Sequence, residues 1–218
     1  MSYEQYIKYY NKIGGGVYLD NNGDTVHLLD DNLGEYSRIN LESKKAKHWY
    51  ARQICNTISK YIEVNNLFET KIDILVMGVA LGSIIIELLN DYPNVFITGI
   101  DISNEYFEFV KSNSDIRRLK LIKQDAMMYI NYSNEIYDIV VCDIFNGINL
   151  PNFILNSKFL YQINKILKSN GLFIMNTINV TKDRLHNKLS ESFGSNIIIK
   201  SNNEFSLRSN TISIVNKN

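Results

Sequence analysis

The strongest constraint on this chain is a repeated switch of hydrophobic period. From residue 72 onward, short apolar runs alternate with stretches of helical spacing. Ile72-Asp-Ile-Leu-Val-Met, Val95-Phe-Ile-Thr-Gly-Ile, Leu119-Lys-Leu-Ile, Tyr137-Asp-Ile-Val-Val-Cys and Gly171-Leu-Phe-Ile-Met-Asn-Thr-Ile read as strands. Residues 83–90, 104–111, 127–130 and 159–167 between them read as helices. Strands this apolar must be covered on both faces, so the alternation predicts right-handed βαβ units around a parallel sheet. A last helix is expected over 181–193, with Leu185, Leu189 and Phe193 on one face. Asn196-Ile-Ile-Ile-Lys and Thr211-Ile-Ser-Ile-Val follow with no helix between them, which predicts an antiparallel hairpin closing the sheet. The fold class is α/β, doubly wound.

The first forty residues have another texture. Val17-Tyr-Leu and Val26-His-Leu-Leu flank Asp20-Asn-Asn-Gly-Asp-Thr, and Asn22-Gly23 tolerates the positive φ of a tight hairpin turn. Tyr36-Ser-Arg-Ile-Asn-Leu extends the hairpin toward a small meander. Gly14-Gly15-Gly16 is read as a flexible lead-in rather than a phosphate cradle, since no strand clearly enters it and no helix follows. Helical spacing begins near residue 42 and runs to 63, with Tyr50, Ile54, Ile58 and Ile62 every fourth residue. The expected division is therefore an N-terminal β-hairpin extension, 1–41, and an α/β domain, 42–218.

Composition then excludes several classes. The 218 residues carry 23 Lys+Arg against 23 Asp+Glu, giving no net charge. That balance argues against nucleic acid as a partner, although a local basic patch stays open. With Cys55 and Cys142 alone there is neither a disulfide framework nor a zinc set, and no metal is expected. No run approaches the roughly 18 apolar residues of a membrane span. The opening Met-Ser-Tyr-Glu-Gln-Tyr lacks the order of a signal peptide, so a cytoplasmic protein with no membrane partner is expected.

Four strand ends carry the residues of chemical interest. Met77-Gly78-Val79-Ala80-Leu81-Gly82-Ser83 is a small-residue turn from strand to helix, of the kind that lets backbone approach a ligand or packs helix against strand. Asp101 follows 23 positions after Gly78, close to the spacing of about 20 at which a nucleotide-binding acid meets ribose hydroxyls. Asp125, in Gln124-Asp-Ala, accepts from an adenine amino group or caps the next helix, with capping favoured on local grounds. Asp143 ends the fourth strand, at the sheet edge where open α/β folds place ligands, and Cys142 reads as a packing thiol.

Taken in order, Leu75-Val-Met-Gly-Val-Ala-Leu-Gly-Ser, Gly99-Ile-Asp-Ile, Gln124-Asp-Ala, Tyr137-Asp-Ile-Val-Val-Cys-Asp-Ile-Phe-Asn-Gly and Leu167-Lys-Ser-Asn-Gly-Leu-Phe-Ile-Met-Asn resemble the class I S-adenosylmethionine-dependent methyltransferases, spermidine-synthase-like branch. The resemblance implies a Rossmann-like methyltransferase sheet. It implies that Gly78, Ala80 and Gly82 hold the methionine moiety of the cofactor, Asp101 with Ile102 the ribose, and Asp125 with Ala126 the adenine. Asp143 falls on the proton-accepting acid of the polyamine synthases and is the expected catalytic residue, beside the cofactor. Asn146 stands in place of their second acid. Tyr50 falls on their substrate-lining tyrosine, but Arg52 stands where an acid should be, which would repel a dicationic amine. The expected function is methyl transfer from S-adenosylmethionine to a small-molecule or protein acceptor. The alternatives are an aminopropyltransferase using decarboxylated S-adenosylmethionine and a nonenzymatic adenosyl-ligand-binding subunit. A homodimer is compatible with all three.

Overall fold

The computed structural model describes residues 10–14, 16–20, 23–29, 35–146, 149–194, 196–201 and 210–217. Gly15, Asn22 and Gly147 of the motifs above lie outside them. The large sheet has seven strands: β5 (Ile72–Met77), β6 (Val95–Asp101), β7 (Leu119–Lys123), β8 (Tyr137–Cys142), β9 (Leu167–Ile178), β10 (Ile197–Ser201) and β11 (Asn210–Asn216). Their order is β10-β11-β9-β8-β5-β6-β7. Strands β5 to β9 pair in parallel, and β11 enters antiparallel between β9 and β10. The chain reverses direction across the sheet at β5, where it first builds outward to β6 and β7 and then returns to β8 on the other side. The topological switch point therefore lies between β5 and β8.

Alternation along the strands separates two cores. On β5, Ile72, Ile74 and Val76 join one cluster, while Leu75 and Met77 join the other. Helices α1 (Trp49–Val64), α2 (Ser83–Asp91) and α3 (Phe107–Ser112) cover the first face. Helices α4 (Ala126–Tyr132), α5 (Ser157–Ile166) and α6 (Lys182–Phe193) cover the second. The fourfold spacing on α1 has its cause here, since Tyr50, Ile54, Ile58 and Ile62 are all buried.

The N-terminal part is larger than a hairpin. Strands β1 (Tyr10–Gly14), β2 (Val17–Asp20), β3 (Thr25–Leu29) and β4 (Glu35–Asn40) form an antiparallel sheet in chain order. Gly14 thus ends a strand, correcting the reading of a flexible lead-in; backbone pairing to β2 holds a segment whose side chains carry no strand signature. Its apolar face is not separate from the rest. Val17, Val26, Leu28 and Ile39 share one core with α1, α2 and the large sheet. Polar ties fix the same junction: Glu87 on α2 accepts from Ala46 N at 2.6 Å, and Ser37 Oγ donates to Ser83 Oγ at 3.2 Å.

Two helical boundaries also shift. Helix α1 starts at Trp49 rather than near residue 42, because Asn40 N and Lys45 O close a turn that folds 41–45 back on β4. Strand β9 starts at Leu167, four residues early, since Leu167 already pairs with Tyr137 ahead of a register shift.

Gly78 has φ +88, and a Cβ there would lie 2.1 Å from the carbonyl oxygen of Asp143. Gly23 has φ +78 with nothing within 4 Å of such a Cβ. Both Gly→Ala variants carry the positive-φ penalty of about 1–2 kcal/mol. Gly78→Ala must also part β5 from β8, and should lose at least about 2 kcal/mol more in urea unfolding. Equal losses in the two variants would show that this approach can relax.

Candidate active site

A cleft of about 1330 Å³ opens at the carboxyl ends of β5, β6 and β8. Its walls bring together Gly78, Ala80, Asp101, Ile102, Asp125, Ala126 and Asp143 from four strand ends that lie far apart in sequence. Tyr50 of α1 and Asn146, in the loop after β8, line it as well. Gly82 does not. It has φ +68 at the start of α2, and a Cβ there would meet Val110 Cγ2 at 2.6 Å. The last glycine of the turn therefore serves the packing of α2 on α3, not the wall of the cleft.

Asp101 and Asp125 are already engaged with backbone. Asp101 Oδ2 accepts from Val79 N at 2.8 Å and Ala80 N at 3.3 Å, and Oδ1 accepts from Ser103 N at 2.9 Å. Its carboxyl group is the clasp that closes the turn, in which Ala80 sits at φ +47. With three of about four lone-pair sites used, one remains for a ligand hydroxyl. Asp125 Oδ1 accepts from Met128 N at 2.9 Å, so the capping role is real and coexists with its place on the cleft wall. Ile102 is 72% exposed, an apolar side chain left open in a wall of the cleft.

Asp143, half-buried, lines the cleft at the end of β8. Its backbone N donates to Met77 O at 2.8 Å, which carries the β5–β8 pairing one residue beyond the strands. Asn176 Nδ2 donates to Asp143 Oδ1 at 2.8 Å. Burial pushes the Asp143 carboxyl up to about 7, against the downward pull of the Asn176 hydrogen bond. Tyr50 lies near, held protonated chiefly by burial and secondarily by the charges of Asp143 and Glu35; its hydroxyl donates to the Tyr36 carbonyl. Cys142 is fully buried with its thiol pushed up to about 12, in keeping with a packing role.

Arg52 is exposed and absent from the cleft wall, two positions and more than half a helical turn from Tyr50. The cation expected to repel a diamine is thus not a wall of the cleft. Several cleft residues were not read from sequence. Gly16 and Glu35 enter from the N-terminal sheet, and Asn176 and Asn210 from β9 and β11. For Asn176 a signal existed, a lone amide inside the apolar run Phe-Ile-Met-Asn-Thr-Ile; for Gly16 it was the glycine run, read as a lead-in; for Glu35 there was none. Glu35 is held below the usual carboxylate range despite burial, by hydrogen bonding from His27 and the nearby Arg38 and His48.

The acids lining the cleft are Glu35, Asp101, Glu105, Asp125 and Asp143, and no Lys or Arg lines it among the described residues. No helix among those residues is long and apolar enough to cross a membrane.

The raised Asp143 carboxyl gives stability a definite pH dependence. Between its ordinary 3.8 and about 7, the folded state holds a proton that the unfolded chain has released. Its contribution to stability therefore falls as pH rises through that window and levels off above it. Asp143→Asn removes the effect, so its Tm relative to wild type should climb from pH 4.5 to pH 7.5. A difference independent of pH would mean that Asp143 titrates as an ordinary carboxyl.

Residues 69–209 match the methyltransferase domain family. A polyamine aminopropyltransferase of Vibrio vulnificus (strain CMCP6) is 30% identical over 119 residues, covering 50% of this chain and 38% of that protein. The chain spans less than two thirds of the length of the curated relatives it matches. A probable spermidine synthase from Corynebacterium glutamicum ATCC 13032 superposes with TM-score 0.76 at 17% identity, covering 94% of this chain and 74% of that one. Human methyltransferase-like protein 13, solved in complex with SAH, superposes with TM-score 0.67 at 19% identity, covering 79% and 83%. The chain belongs to the methyltransferase domain family, with the class I fold in its spermidine-synthase-like form.

Proposed function

We propose that the protein is an S-adenosylmethionine-dependent methyltransferase whose acceptor is an amine, free or on a protein. The observation that carries this reading is the meeting of the glycine turn, Asp101 and Asp125 with Asp143 in one acidic cleft. The residues fit the adenosyl group: an open acceptor site on Asp101, the apolar Ile102, and the small side chain of Ala80 in the cleft wall. In this reading Gly78 and Ala80 flank the methionine moiety, Asp101 meets one ribose hydroxyl, and Asp125 and Ala126 meet the adenine edge. When bound, the cofactor would supply an electrophilic methyl group carried on a sulfonium.

Asp143 then orients the acceptor N–H and takes the proton released as nitrogen gains carbon. A carboxyl group titrating near 7 suits that role at neutral pH. The acid-lined walls favour a cationic or neutral acceptor over an anionic one such as nucleic acid. Orientation and exclusion of water supply most of the rest. The apolar side chains of Phe145, Leu150 and Phe153 border the same space.

One observation favours a second reading, aminopropyl transfer from decarboxylated S-adenosylmethionine. No described Lys or Arg lines the cleft to meet the carboxylate that distinguishes the methylating cofactor. The exposed position of Arg52 also withdraws the objection to a diamine. Calorimetry with the two cofactors separates the readings, and binding of the decarboxylated form alone would sink methyl transfer.

Asp101→Ala should weaken binding of S-adenosylhomocysteine by about 1.5–3 kcal/mol, the scale of one hydrogen bond to a charged group. Undiminished affinity would remove the ribose from Asp101. Asp143→Asn should bind that product normally yet lose about 10²–10⁴-fold in turnover, the usual worth of general acid–base assistance. Full turnover by that variant, with an amine acceptor in hand, would take Asp143 out of the reaction.

A further inference from the structure

Asp143 is not held by its own strand alone. Asn176 lies on β9, directly across from it, and is 0% exposed. Its amide is used on both sides: Nδ2 donates to Asp143 Oδ1 at 2.8 Å, and Oδ1 accepts from Asn210 Nδ2 at 3.1 Å. Asn210 begins β11, where it pairs with Ile178, so the terminal hairpin supplies the outer link. The donor of Asn210 sets which way round the Asn176 amide lies. Turned over, Asn176 would set its carbonyl oxygen against the ionised Asp143 carboxylate and amine against amine.

A buried amide in an apolar strand contributes less to packing than a leucine of similar size. Its value must come from what it holds. The geometry points to Asn176 as a positioning residue for Asp143: anchored by Asn210, it occupies Oδ1 and leaves Oδ2 to face the acceptor. This inference rests on reading Asp143 as the base.

Titratable groups facing Asp143 are few. Among the described residues they are the Tyr50 phenol on α1 and the Cys142 thiol on its own strand, both neutral at physiological pH and pushed further up chiefly by burial. Neither therefore adds a charge near neutrality. Among the described residues, the hydrogen bond from Asn176 is what opposes burial at Asp143. Without it, the carboxyl should hold its proton to higher pH and turn more freely.

The test is a carbon-13 NMR titration of the ligand-free protein labelled at aspartate carboxyls, with Asp143→Asn identifying the resonance. Asn176→Leu should move the Asp143 titration upward by about one pH unit, the scale of one charge-assisted hydrogen bond. Asn210→Ala, at the end of β11, should move it in the same direction by less, because it frees the amide without removing it. Asn176→Gln, which restores a donor on a longer arm, should return part of the shift. A titration unchanged in Asn176→Leu overturns the inference. Should that variant not fold, an unchanged titration in Asn210→Ala does so. None of these readings involves an acceptor, so failure here is distinct from failure of the base assignment, which would appear as full turnover by Asp143→Asn.

Discussion

The site depends on how closely two backbones can approach at the ends of β5 and β8. Asp143 N donates to Met77 O at 2.8 Å, and the missing side chain of Gly78 leaves room for the Asp143 carbonyl. Gly78 N in turn donates to Ile100 O at 2.9 Å on the other side. The single peptide group between Met77 and Gly78 thus ties β5 to both neighbours at the point where β5 stops. Everything at the cleft floor inherits its position from that knot. The small-residue turn is pulled toward β8, Asp101 can reach back to clasp it, and Asp143 is set at the switch point of the sheet. The glycine is required here by protein backbone, before any ligand is considered.

The same economy appears in the acids. Asp101 and Asp125 each stabilise a local piece of backbone, a turn and a helix start, and each keeps a face on the cleft. Structural and binding roles are therefore not alternatives at these positions. A carboxyl group that caps a helix is already oriented at a strand end, which is where ligands bind in this architecture. Asp143 is different. Its side chain meets an amide rather than a row of backbone N–H groups, and burial leaves it poised near neutrality. An acid satisfied by backbone makes a good ligand anchor; one held by a single donor in a desolvated place makes a better proton acceptor.

Much of this was legible in the chain. Period changes gave the parallel strands and the two-sided cover, since burying both faces demands apolar residues throughout a strand. Strand ends gave Gly78, Asp101, Asp125 and Asp143, because a polar residue closing an apolar run has few other reasons to be there. Strand β1 was illegible: it is held by backbone pairing to β2 and leaves no trace in side-chain pattern. Gly82 matched the motif yet lies off the cleft, since a sequence pattern cannot distinguish a glycine needed for a ligand from one needed for Val110. Arg52 misled for the opposite reason, as alignment with a motif does not say which side of a helix faces the site.

The sequence by itself determined the class of fold, the strand ends and the identity of the acids, because these follow from local period and from the chemistry of single side chains. Tertiary structure alone decided which of those groups meet. Asn176 and Asn210 are separated from Asp143 by whole elements; the pairing of β9 with β8 brings the Asn176 amide to its carboxyl, and the insertion of β11 beside β9 adds Asn210. The small sheet likewise lends Gly16 and Glu35 to the cleft only because its apolar face is buried against α1 and α2. The elevated proton affinity of Asp143 arises from that assembly: desolvation belongs to everything packed around a group, and no neighbour in sequence can supply it.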